Sequence, residues 1–67
     1  MQAKSTDLYL GVNKAILAAG GLRALGRALG ISHTAIIQWG KVPASRIIQI
    51  ERLTGVRREE LRPDLYR

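Results

Sequence analysis

The chain contains 67 residues, of which 46% are hydrophobic and 24% charged, and it has no cysteine. A chain of this length builds one small core without disulfides or thiolate–metal sites to reinforce it, so we expect a single domain over residues 1–67. Eleven Lys and Arg against five Asp and Glu give a net charge of +6. This balance is typical of proteins that bind nucleic acids or anionic surfaces.

The hydropathy pattern argues against membrane insertion and secretion. No apolar run approaches the roughly 20 residues that cross a bilayer. Residues 1–7 are too polar for the apolar part of a secretory signal. We therefore expect a cytoplasmic protein with no membrane partner.

The positive charge is concentrated in the middle of the chain. Between Leu8 and Ile50 there are five basic residues and no acidic one, whereas five basic and four acidic residues follow Ile50. A stretch without carboxylates does not repel phosphate. A basic surface that is merely solvated would show the same pattern. The positions of the charges in the fold must therefore distinguish a phosphate-binding surface from a solvated one.

Glycine and proline divide the chain into five predicted helices, and strand signals are weak throughout. The first helix has apolar residues at helical spacing over residues 8–19. The candidate N-caps Ser5 and Thr6 precede it, and Gly20 and Gly21 follow it. The sequence thus predicts an all-α fold, a compact bundle of about five short helices.

The second and third predicted helices cover residues 22–29 and 33–39. Gly30 can end the second helix in a left-handed conformation, Ser32 can cap the third, and Gly40 ends it. A short link that contains glycine therefore joins the two helices.

The fourth predicted helix has Pro43 in its first turn and stops at Gly55. A last short helix covers residues 58–62 and ends before Pro63. The inner stripe of the fourth helix is predicted to consist of Ile47, Ile50 and Leu53.

The link of residues 30–32 is typical of a DNA-binding helix-turn-helix. The two helices of this motif approach closely, and Gly26 supplies a small residue at that point. The apolar residues predicted to lock the two helices together are Leu25, Leu29, Ile31, Ile36 and Trp39. The alternative is an ordinary helical hairpin with a solvated polar face.

The outer face of the third helix is predicted to carry the recognition chemistry. Gln38 can pair bidentately with adenine, and Ile37 can cover a thymine methyl group. The predicted base-reading residues are Ser32, His33, Thr34, Ile37 and Gln38. The predicted phosphate-binding residues are Arg23, Arg27, Lys41 and Arg46.

The sequence offers no constellation for catalysis or metal binding. It has no paired carboxylates and no nucleophile beside a base, and the single histidine, His33, has no neighbouring ligand residue. Trp39 lies three residues after Ile36, which predicts a core residue rather than a platform for stacked bases. We therefore expect a protein that is not an enzyme and needs no cofactor or metal.

Several short motifs between residues 16 and 66 carry a family resemblance. They are Ala19-Gly20-Gly21, Ala28-Leu29-Gly30-Ile31-Ser32, Gln38-Trp39, Val42-Pro43-Ala44, Ile50-Glu51, Leu53-Thr54-Gly55 and Leu61-Arg62-Pro63-Asp64-Leu65-Tyr66. On these motifs the chain resembles the Cro and CI repressor superfamily, and in particular a small Cro-like branch that includes the YdaS-type antitoxins.

The resemblance implies a bacterial repressor of phage or prophage origin. Such a protein binds double-stranded operator DNA, usually as a homodimer on a two-fold-related site. The family's base-reading positions fall on the five outer residues named above, and its backbone-holding positions fall on Leu22, Arg23 and Lys41. Leu22 stands where the superfamily often has glutamine, so we assign that contact to Arg23 instead.

Two further features of the family bear on the fold. Gly26 replaces the usual alanine, which costs about 1 kcal/mol of helix propensity. Arg57 stands where a capping Ser or Thr is expected. Some Cro proteins end in strands, so the resemblance leaves the C-terminal third either helical or partly strand.

A protein–protein interaction module is the alternative function. Apolar residues that the predicted core does not use could bind a toxin or another regulator, with DNA binding secondary. These residues are Leu10, Leu17, Ile48, Leu65 and Tyr66.

Overall fold

Five α-helices and one 3₁₀ turn form the part of the chain that the computed structural model describes, residues 3–66, with side chains for residues 9–66. The elements are α1 (Ala3–Ala19), α2 (Leu22–Leu29), α3 (His33–Ile37), the 3₁₀ turn (Ala44–Arg46), α4 (Ile47–Thr54) and α5 (Arg58–Leu61). No strand occurs in these residues, so the C-terminal third is helical and the all-α prediction is confirmed. No helix in this part of the chain is long and apolar enough to cross a membrane.

The predicted signals at the ends of the helices explain most of the boundaries. Gly30 and Gly55 adopt left-handed conformations, with φ of 74° and 81°, directly after α2 and α4. The Ser32 hydroxyl accepts a hydrogen bond of 3.2 Å from the backbone N–H of Ala35, which caps α3. The bounds of α2 agree with the predicted helix over residues 22–29.

Two predicted helix starts are wrong. The first helix begins at Ala3, so Ser5 and Thr6 lie within it and do not precede it. Pro43 precedes the 3₁₀ turn as its N-cap, and the fourth α-helix begins only at Ile47. The fixed φ of proline suits either a 3₁₀ or an α-helical start, so the sequence does not distinguish them.

The predicted C-terminal end of the third helix is also too long. α3 stops at Ile37, and the N–H of Trp39 bonds to the carbonyl of Ile36 at 3.0 Å, three residues back. This shorter spacing is that of a 3₁₀ turn, which replaces the α-helix before Gly40. The last helix likewise ends at Leu61, one residue before its predicted end.

The core draws on every α-helix. Its buried apolar residues are Val12, Ala15, Leu25, Leu29, Ile36, Val42, Ile47, Ile50 and Leu61. Trp39 packs against this core but is only half-buried, because it lies beyond the end of α3. Its predicted contribution to the core is confirmed, though it does not form the centre.

Leu53 does not continue the inner stripe of α4, as the spacing predicted. Its side chain is 50% exposed, whereas Ile47 and Ile50 are fully buried. Three residues advance a helix by about 300°, so two such steps leave Leu53 about 120° away from Ile47. That rotation carries Leu53 out of the buried face.

Two glycines allow close approaches between elements. A Cβ atom on Gly26 would lie 2.9 Å from the carbonyl oxygen of Ile31 and 3.3 Å from the amide nitrogen of His33. The predicted close approach of α2 and the turn to α3 is thus confirmed. A Cβ atom on Gly11 would overlap the carbonyl oxygen of Leu61. The absence of a side chain at Gly11 therefore lets α5 pack directly against α1.

A carboxylate from another helix supplies the missing cap of α5. Arg57, at the N-cap position, makes no capping hydrogen bond with its side chain. Instead, Glu51 on α4 accepts a bond of 3.0 Å from the backbone N–H of Arg58 and another of 3.1 Å from its Nε. These bonds lower the pKa of Glu51, the backbone bond contributing most.

The contact of α1 with α5 can be tested at Gly11. We expect Gly11→Ala to lower the free energy of unfolding by about 2 kcal/mol, because the added methyl group must push Leu61 away. Gly40→Ala is the matched control, since a Cβ atom there meets nothing within 4 Å. It should change stability by less than about 0.5 kcal/mol in urea denaturation. Equal stability of the two variants would contradict the packing described here.

The lowered pKa of Asp64 predicts how the stability of the fold depends on pH. Hydrogen bonds from Arg62 lower the pKa of Asp64 to about 2. A carboxylate whose pKa is lower in the folded state stabilises the fold above its unfolded pKa, and this contribution is lost as pH falls through the folded value. Melting temperatures should therefore drop between about pH 4 and about pH 2, and less steeply in Asp64→Asn. If the melting temperature depended on pH equally steeply in Glu60→Gln and Asp64→Asn, the lowered pKa of Asp64 would not explain the acid sensitivity.

Candidate nucleic-acid interface

The helix-turn-helix geometry arises from buried contacts between α2 and α3. Leu25 and Leu29 of α2 and Ile36 of α3 are all buried. The intervening turn uses the left-handed Gly30, and the N–H of Ile31 bonds to the carbonyl of Gly26 at 3.0 Å. These contacts use one face of α3 and leave the opposite face to solvent.

The predicted base-reading residues lie on this solvent-facing side. Ser32, Thr34, Ile37 and Gln38 are exposed and His33 is half-buried. Ile37 is 60% exposed, so its apolar side chain is accessible from solvent. The exposed set combines hydrogen-bonding groups with one apolar side chain, as recognition of base edges requires.

A shallow concave surface lies between α2 and the start of α3. It has a volume of about 390 Å³ and is lined by Arg23, Arg27, Ile31, Ser32 and His33. Both arginines are exposed, and neither forms an ion pair with a residue whose side chain is described. Two guanidinium groups beside a helix start form a surface suited to a phosphate group.

The other two predicted phosphate-binding residues have different surroundings. Lys41 is exposed in the loop after α3. Arg46 is half-buried, and its Nη1 donates to the carbonyl of Leu29 at 3.4 Å and to the amide oxygen of Gln49 at 3.1 Å. Arg46 therefore ties the 3₁₀ turn to the end of α2, a structural contact that the sequence did not predict.

Ion pairing separates the charges of the molecule into two regions. All four carboxylates among the described side chains are paired, in Lys14–Glu60, Arg57–Glu59, Arg58–Glu51 and Arg62–Asp64. All four acidic partners lie at or after residue 51, towards the C-terminal end. The cations around α2 and α3 thus keep a positive charge that no described carboxylate balances.

The described residues show no arrangement suited to a metal ion. No group of three or more His, Cys, Asp or Glu side chains within this part of the chain comes together. His33 lies beside Arg23 and Arg27 on the concave surface, without a carboxylate among the lining residues. Its surroundings favour contact with an anion over metal ligation.

The fold and the solvent-facing side of α3, beside the exposed Arg23 and Arg27, define a small helix-turn-helix protein. Residues 12–67 match the family model described as bacterial toxin YdaS. The chain therefore belongs to the YdaS family. The resemblance to the YdaS-type branch is confirmed. The description of this family is that of a toxin, whereas the resemblance above referred to the branch as antitoxins.

A solved structure supports the same branch. A Cro protein from the prophage element Xfaso 1 in Xylella fastidiosa strain Ann-1 is 41% identical to this chain, with a TM-score of 0.77. The match covers 87% of this chain and 97% of that protein. No curated protein matches the chain. This chain is thus similar to a phage-type regulator of the Cro kind.

Proposed function

We propose that this protein is a sequence-specific DNA-binding repressor that reads operator DNA in the major groove with α3. The observation that carries the proposal is the exposed, acid-free outer face of α3. It is flanked by Arg23, Arg27 and Lys41, which form no ion pair with the carboxylates of residues 9–66. The similarity to a Cro protein supports it independently. Its place of action would be the cytoplasm of a bacterial host.

The residues divide by chemistry into those that read bases and those that hold the backbone. Gln38 offers a donor and an acceptor to one base, and Ile37 offers an apolar surface to a thymine methyl group. Ser32, His33 and Thr34 at the start of α3 can donate to bases or to phosphate oxygens. Arg23 and Arg27 would hold one phosphate in the concave surface, while Lys41 and Arg46 would hold others.

Repression follows from occupation of the operator, which excludes polymerase from the promoter. An α3 of five residues reads only a few base pairs, too few for a specific site in a genome. A homodimer on the DNA would double the number of base pairs read. This second copy can assemble on the operator even if the free protein is a monomer.

Two variants separate reading from holding. We expect Gln38→Ala to lose about 1–3 kcal/mol of discrimination at one base pair, with binding to random DNA little changed. Lys41→Ala should weaken binding to operator and random duplexes by similar factors and reduce the salt slope by about one ion. The operator is first selected from a pool of random duplexes, and both variants are then titrated across a salt series. A Gln38→Ala protein with its full specificity ratio would contradict the proposed orientation of α3.

The selected operator also tests the homodimer. We expect an inverted repeat whose half-site centres are about 34 Å apart, one turn of DNA, because two copies related by a two-fold axis must lie on one face of the duplex. Footprinting measures the protected length. Full affinity for a single half-site would contradict binding as a symmetric dimer.

A protein-binding module is the second candidate function, and the exposed apolar residues favour it. Leu10, Leu17 and Leu65 are 46%, 79% and 50% exposed. Ile48 and Tyr66 pack against the core and are half-buried, so they are less available. A toxin or another regulator would then be the partner. Nucleic-acid affinity that does not fall with salt concentration would favour this function over DNA binding.

A further inference from the structure

The C-terminal motif Leu61-Arg62-Pro63-Asp64 contains a buried charged residue that the proposed function does not use. The Arg62 side chain is buried, with 6% of its residue surface exposed. Among the described residues, it is the one charged or polar residue in the buried class. Burying a guanidinium group costs free energy unless its N–H groups form hydrogen bonds and its charge is paired. Its partners therefore indicate what the group is for.

Arg62 joins the C-terminal end of the chain to the loop after α3. Its Nη1 donates to the backbone carbonyl of Val42 at 2.7 Å, across 20 positions in the sequence. Its Nε and Nη2 donate to the two oxygens of Asp64 at 2.8 and 2.7 Å. The bidentate pair fixes the plane of the guanidinium group, and so fixes the direction in which Nη1 points.

The backbone around Asp64 keeps this carboxylate in place. The N–H groups of Leu65 and Tyr66 both bond to the carbonyl of Arg62 at 3.0 Å, which forms a tight turn. Pro63 lies inside this turn and has a restricted φ. Asp64 is thus held next to Arg62 by hydrogen bonds that do not involve the loop.

The loop of residues 40–42 is held by the buried Val42 side chain and by few polar contacts. Within residues 3–66, Gly40, Lys41 and Val42 make no hydrogen bond between backbone groups. The Val42 side chain is fully buried, but Gly40 and Lys41 are exposed. The bond from Arg62 to the Val42 carbonyl is therefore the polar contact that sets the path of the chain directly after Lys41.

Lys41 has a long-range electrostatic effect on the carboxylate of Asp64. The pKa of Asp64 is lowered mainly by hydrogen bonds from Arg62, and the positive charge of Lys41 contributes to the same shift. The bond from Arg62 to the Val42 carbonyl thus acts on the residue next to Lys41, which we assign to a phosphate.

We propose that Arg62 is a positioning residue, which fixes the loop after α3 and so presents Lys41 to the DNA backbone. This inference rests on the DNA-binding function proposed above. It gives the C-terminal motif a role in recognition, although the motif lies outside the helix-turn-helix.

The test compares two arginine variants that remove the same charge. Arg62→Gln breaks the contact with Val42, whereas Arg57→Gln removes an exposed arginine whose pairing is with Glu59 on the surface. Both are titrated with the selected operator at a temperature where circular dichroism shows them folded. We expect Arg62→Gln to weaken binding about tenfold and Arg57→Gln less than about threefold.

A double-mutant cycle distinguishes positioning from general stability. If Arg62 acts through Lys41, adding Lys41→Gln to Arg62→Gln should weaken binding by less than about twofold further, because that contact is already lost. Independent effects that multiply would overturn the proposal, as would a folded Arg62→Gln protein that binds as tightly as Arg57→Gln. A variant that is destabilised only would show full affinity once folded.

A measurement without DNA completes the test. We expect the amide order parameters of Gly40, Lys41 and Val42 to fall from about 0.85 to below about 0.6 in Arg62→Gln. Unchanged values would overturn the proposal.

If Arg62→Gln does not fold, Asp64→Asn replaces it, since the Asp64 side chain is 40% exposed and its loss should spare the core. Wild-type protein that binds no duplex would instead refute the proposed function, while the order parameters would still show whether Arg62 fixes the loop.

Discussion

The close contact of α2 with the turn before α3 is the constraint on which the candidate interface depends. Gly26 leaves no room for a side chain between α2 and the backbone of Ile31 and His33. This contact, together with the buried Leu25 and Ile36, determines which face of α3 is internal. The remaining face has nothing to pack against within the described residues, so its polar side chains are available for another molecule.

Charge is distributed so that the interface keeps its positive potential. The described carboxylates all lie in the C-terminal half and are all paired with cations, three of them nearby and one, Glu60, with Lys14 of α1. Glu51 also caps α5, and Asp64 orients Arg62. An unpaired carboxylate near α3 would weaken attraction to phosphate, and none of the described ones lies there unpaired. The C-terminal elements therefore support the interface both by packing and by keeping acidic groups occupied.

Features encoded within a few residues were predictable from the sequence. Gly30, Ser32 and Gly55 mark helix ends because their conformations or hydrogen bonds depend on adjacent backbone. The bounds of α2 and the close approach at Gly26 followed from such signals. The candidate site could be predicted as a set of exposed residues on α3, because their spacing separates them from the apolar stripe.

Features that depend on distant residues were not predictable. The cap of α5 comes from Glu51 on another helix, and the half-buried Arg46 is held by the carbonyl of Leu29. Nothing in the local sequence indicates these partners, because they meet only when the core forms. Spacing alone also misplaced Leu53, since a helix rotates by less than a full turn every three residues.

The most direct test of the account is a map of the protein surface that contacts DNA. A ¹⁵N-labelled sample titrated with the selected duplex gives the change in amide chemical shift at each residue. We predict the largest changes over residues 32–41 and at Arg23 and Arg27. Changes centred instead on the groove lined by Leu10, Lys14, Glu59, Glu60 and Pro63 would show that α3 is not the DNA-reading element.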